Sequence, residues 1–77
     1  MSEITTVSKL NGAKRELKMR RYVYPNRVRS RSMTQEQADH EIAVMEAIVA
    51  DYEAQLSAER EALRKQTVGE DLFGGAA

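Results

Sequence analysis

From Thr34 to about Lys65 neither glycine nor proline interrupts the chain, and over that stretch the apolar residues recur seven apart. Ile42, Val49, Leu56 and Leu63 form one series, and Ala38, Met45 and Tyr52 form the alternate one. Such spacing gathers them on one stripe of an α-helix and does not suit a strand, whose faces alternate every two residues. It predicts a single helix over residues 34–65, about 45–50 Å long at 1.5 Å per residue. The start is marked as clearly. Thr34 can cap the helix, Gln37 can return the bond as a capping box, and Met33 can staple onto Ala38. Glu36, Asp39 and Glu41 near the start, with Arg64 and Lys65 at the end, carry the signs that the helix dipole favours. Glu59 takes the seam position after Leu56, so the stripe fades there. Val44 and Ile48 widen it between Ile42 and Tyr52, as expected where more than one helix packs.

A shorter helix is expected from about Ser8 to Tyr24, with Asn11-Gly12 able to delay its start. Leu10, Ala13, Leu17 and Tyr24 share one face, bordered by Lys14, Arg20 and Arg21. Met19, Tyr22 and Val23 lie nearly opposite and form a candidate partner face. Pro25 is expected to end this helix or to start a short new turn at Asn26, because proline pushes Tyr24 away from helical geometry. Residues 25–33 then read as a solvated basic link, residues 1–7 as a loose N-terminus, and residues 67–77, with three of the four glycines, as a flexible tail. The expected fold is all-α, a helical hairpin over residues 8–66 with one long coiled-coil-like helix. Seventy-seven residues make one small domain with a modest core, so a homodimer or another partner is expected to add burial.

Charge selects the pairing. Up to Ser32 there are nine basic residues against Glu3 and Glu16, and beyond it ten acidic residues against Arg60, Arg64 and Lys65, so a net charge of zero conceals about +7 followed by −7. Two long helices in parallel would set Glu41 against Glu46 of the other chain. The basic border of the first helix meets the row Asp39, Glu46 and Glu53 instead. A hairpin, closed within one chain or exchanged between two, fits better. Leu10, Leu17, Ile42, Met45, Val49, Tyr52 and Leu56 are its expected packing or dimer-interface residues. Exposed ion pairs contribute only ~0.2–1 kcal/mol each, so they choose the partner while apolar burial stabilises it.

Little in the chain suggests chemistry. Cysteine is absent and His40 is the single histidine, on the face away from the seam, so neither a zinc site nor a thiol nucleophile is expected. Glu36 with Asp39, and Asp51 with Glu53, read as the wet face of a helix. Without a phosphate loop or a base–nucleophile pair, the expectation is no enzyme, no cofactor and no metal. No apolar run approaches ~20 residues and the N-terminus lacks a signal-peptide core, which points to the cytoplasm and away from the membrane. Lys14, Arg15, Lys18, Arg20, Arg21, Arg27, Arg29 and Arg31, interleaved with Tyr22 and Tyr24, are candidate nucleic-acid contacts. Overall neutrality, the nearby acidic helix and the lack of a reading motif weigh against that.

The run Arg15-Glu16-Leu17-Lys18-Met19-Arg20-Arg21-Tyr22-Val23-Tyr24-Pro25, with Met33-Thr34, Ala38 and the stretch from Glu41 to Tyr52, resembles a family of short uncharacterised proteins of proteobacterial phages and prophages. The similar stretch runs from about Arg15 to Glu53. The resemblance implies an accessory role in infection or lysogeny inside a bacterial host, and it brings no catalytic residues. That family commonly has a Gly before the Met, where this chain has Ser30-Arg31-Ser32. In the tail, Glu70-Asp71-Leu72-Phe73 resembles the end of the short linear motif by which bacterial proteins dock on the replicative sliding clamp. Gly69 stands where that motif begins with Gln, and the alternative is that Leu72 and Phe73 pack back on the body. Together these observations lead to the expectation of a non-enzymatic protein-binding module, with nucleic-acid binding through residues 14–31 as the alternative.

Overall fold

The computed structural model describes residues 3–76, and side chains for residues 3–66. It is an all-α helical hairpin: α1 spans Thr6–Arg29 and α2 spans Gln35–Ala76, with no strand among the described residues. The helices run antiparallel, because Thr6 near the start of α1 donates to Glu59 while Arg20 further along donates to Glu41. Past Glu59, α2 continues beyond the end of α1. The molecule measures 69 × 28 × 13 Å, so it is one helix thick.

Local chemistry sets three of the four helix ends. Thr5 caps α1, its hydroxyl accepting from the Ser8 N–H at 3.1 Å. The helix therefore begins before the expected Ser8, with Ser8 in the third helical position instead of at the boundary. At α2 the capping box is reciprocal. The Gln37 N–H donates to Thr34 Oγ1 at 3.0 Å, and the Thr34 N–H donates to Gln37 Oε1 at 3.0 Å. Two N–H groups that a helix start leaves unsatisfied are thereby paired.

Pro25 does not end α1, contrary to expectation. Tyr24 stays helical and the helix runs on to Arg29 with Pro25 inside it. A proline removes one N–H, and the Arg21 carbonyl loses that partner. Pro25 is exposed, so that carbonyl lies on the water side, and the defect is confined to one turn. Beyond it the helix end is well bonded. The Ser30 N–H donates to the Asn26 carbonyl, the Arg31 N–H to Val28 and the Ser32 N–H to Arg27. The last two bonds, with Arg31 at φ 66°, form a Schellman closure. The tight turn thus forms with arginine in the left-handed position that glycine usually fills. The link shrinks from the expected 25–33 to residues 30–34.

The backbone of α2 is helical through Ala76, past the expected helix end near Lys65. A glycine inside a helix costs only ~1 kcal/mol, far less than a proline, and no proline follows Pro25. The candidate docking residues Asp71, Leu72 and Phe73 have side chains outside the described residues.

The core lies between the helices. Leu10, Ala13 and Leu17 of α1 meet Met45 and Val49 of α2, with Ile42, Ile48, Tyr52 and Leu56 partly buried against them, and Ala38 is buried near the turn. All seven expected packing residues lie in this seam within one chain. Among the described residues none is less than 2% exposed, so the core is shallow.

Candidate functional site

The seam of α1 advances by alternate steps of three and four residues, from Leu10 through Ala13 and Leu17, and the next position is Arg20. Sequence reasoning set Arg20 on the border, because its charge hid its place in the spacing. Its side chain is only 20% exposed. Nε donates to Glu16 at 2.9 Å, and Nη1 donates to the Glu41 carbonyl at 3.0 Å and to its carboxylate at 3.4 Å. The hydrogen bond to Glu16 raises the Arg20 pKa above its ordinary value, against the opposing effect of burial, so the guanidinium is always charged. The aliphatic stem fills the seam while the head joins both helices.

Two of the three expected ion pairs to the acidic row are present. Lys14 reaches Glu53 at 3.8 Å and Arg21 reaches Glu46 at 2.6 Å. Arg20 turns to Glu16 and Glu41 instead, and Asp39 accepts from Gln35 on its own helix. These contacts divide the hairpin into two broad faces. One carries Lys14, Arg21, Glu46 and Glu53, each about half exposed. The other carries Arg20 and Glu41, and with them Val23, three residues after Arg20, and Val44 and Ile48, three and seven after Glu41. Val44 is 38% exposed, and Val23 and Ile48 are half-buried.

The eight basic candidates do not act as one group. Lys14, Arg20 and Arg21 are taken by carboxylates, Arg27 lies over the Tyr24 ring at 5.9 Å, and Arg29 bonds to Asn26. Arg15, Lys18 and Arg31 make no ion pair among the described residues. Arg15, Lys18 and Arg29 share a strip on the outer edge of α1 with Tyr22, which is 79% exposed. Of the expected partner face, Met19 is 52% exposed and Val23 half-buried, so Tyr22 and Val23 turn toward different neighbours. Lys9, unassigned from the sequence, lies over the Tyr52 ring at 5.9 Å.

Near the start of α1 an open groove of about 640 Å³ lies between the two helices, lined by Leu10 and Leu56 together with Lys14, Glu53, Arg60 and Arg64. Ser57 also lines it, and among the described residues no hydrogen bond joins its hydroxyl to a base. His40 is exposed, and among the described residues no three His, Cys, Asp or Glu side chains could hold a metal ion. No helix among the described residues is long and apolar enough to cross a membrane. No protein-family model, no curated protein and no solved structure matches the chain. What the geometry offers is surface: two broad faces, a basic outer strip and the overhanging end of α2.

Proposed function

We propose that this protein is a non-enzymatic helical module that binds other proteins, copies of itself included, through surfaces its two helices leave uncovered. The observation that carries the reading is the 13 Å thickness of the molecule. A stable domain normally stacks two or more layers around its core, and this one has a single layer. Its accessible surface is 6138 Å², whereas a compact monomer of 8.7 kDa exposes roughly 4,700 Å². Coiled-coil-like packing of the heptad seam against further helices is the natural use of that surplus.

The resemblance of Arg15 to Glu53 to short phage and prophage proteins supports an accessory role in infection or lysogeny, in the host cytoplasm. A host factor, a defence component or the replication and recombination machinery would then be the partner. Capture from infected cells with the tagged full chain tests this. Protein partners that persist after nuclease treatment and at ~0.5 M salt support the reading, because apolar helix interfaces are little affected by screening. Loss of every partner under nuclease overturns it.

One observation favours a second reading. Arg15, Lys18, Tyr22 and Arg29 form an outer strip without carboxylate partners among the described residues, suited to phosphates and a stacked base. On that reading affinity for DNA or RNA falls steeply with salt, and Arg15→Ala with Lys18→Ala weakens it, whereas Arg21→Ala, already neutralised by Glu46, changes it less.

A further inference from the structure

We infer that a second copy of this chain packs on the face carrying Val23, Val44 and Ile48, so that two hairpins close a four-helix bundle. The inference rests on the protein-binding reading and names the partner. The first ground is area. The molecule exposes about 1,400 Å² more than a compact monomer, a surplus shared by the two faces and the overhanging end of α2, and a standard interface takes ~800 Å² from each partner. The overlapping part of the hairpin is two packed helices wide, about 20 Å, and about 36 Å long at 1.5 Å per residue over α1. Its projected footprint, roughly 700 Å², is close to what each partner contributes to such an interface.

The second ground is charge, which distinguishes the two faces. Covering the opposite face would desolvate Lys14, Arg21, Glu46 and Glu53, all 50–56% exposed and each held by one partner. Taking such groups from water costs more than a single contact returns. On the chosen face Arg20 is already 20% exposed and donates to three oxygens of Glu16 and Glu41. Its charge is paired before a partner arrives; Glu16 and Glu41, 38% and 46% exposed, are the groups that covering this face takes from water, and both keep the Arg20 guanidinium as partner. Beside Arg20, Val44 is exposed and Ile48 is only partly buried against the core, so the apolar stripe of α2 extends onto this face. A copy of the same chain brings the same apolar groups and the same pre-paired cluster, as a two-fold interface requires.

Sedimentation velocity of the purified full chain, read beside its far-UV dichroism, tests the inference. Wild type and Asn11→Arg, which alters an exposed residue of the other face, should sediment with about twice the monomer mass. Val44→Arg should sediment as a monomer with unchanged helicity. Should Val44→Arg lose helix, Met19→Glu at the margin of the same face, 52% exposed, takes its place with the same expectation. A monomeric wild type, or a Val44→Arg or Met19→Glu protein that is folded and still dimeric, overturns the inference. A monomeric wild type that still captures nuclease-resistant proteins overturns this inference alone and leaves the protein-binding reading standing.

Discussion

Leu17 sits at the centre of the α1 seam, 8% exposed, in one cluster with Leu10, Ala13, Met45 and Val49. Leu17→Ala removes three buried carbons, worth about 2.4 kcal/mol at ~0.8 kcal/mol each. The cavity should add little, since a layer one helix thick can settle inward, so the expected loss is about 2–3 kcal/mol. A domain this small has only ~3–5 kcal/mol from its core. The substitution should therefore lower the melting temperature by about 10–20 °C. Thermal and urea unfolding followed by far-UV dichroism measure it. Tyr22→Ala, five residues away and 79% exposed, is the internal control and should change stability by less than ~0.5 kcal/mol. If Leu17→Ala costs under ~1 kcal/mol, or no more than Tyr22→Ala, the face of α1 assigned to the core is wrong.

Two further substitutions test the C-terminal end of α1. Arg31→Gly should stabilise the hairpin by about 0.5–1 kcal/mol in urea unfolding, because glycine meets no Cβ penalty at φ 66° while its looser unfolded chain offsets part of the gain. Pro25→Ala should stabilise by about 1–3 kcal/mol and leave helicity unchanged or higher, since it restores the N–H that the Arg21 carbonyl lacks. A loss of helix in Pro25→Ala would mean that the ring, and not the continuity of α1, organises the turn.

The parts of the fold that were legible in the sequence are those set by short-range chemistry or by period. Thr34 and Gln37 declared the start of α2 because a capping box needs only two side chains three residues apart. The heptad from Ala38 to Leu56 named the buried stripe because spacing alone decides which residues share a helical face. Pro25 misled because its cost depends on where the freed carbonyl points, and that is a property of the packed hairpin. The end of α2 was hidden similarly, since glycines weaken a helix without forbidding it. Arg20 was missed because residue type was weighed above position: continuing the spacing from Leu10, Ala13 and Leu17 would have placed it in the seam. Which basic residues find carboxylates could be read only as a trend, because only about 60° of helical rotation separates Arg21, which meets Glu46, from Lys18, which meets no carboxylate among the described residues.

The central claim is that a basic helix and an acidic helix close on each other within one chain, in one antiparallel register. Carbodiimide cross-linking tests it directly, because it joins an amine to a carboxylate only at contact distance, and Lys14 Nζ lies 3.8 Å from Glu53. The reaction is run on an equal mixture of ¹⁴N- and ¹⁵N-labelled protein, unfolded together and refolded, and read by peptide mass spectrometry. The account predicts a Lys14–Glu53 cross-link whose two peptides carry the same isotope, in the dimer as in the monomer. Mixed-isotope pairs at this position would show hairpins exchanged between chains. Cross-links from Lys14 to Asp39 in place of Glu53 would contradict the register itself.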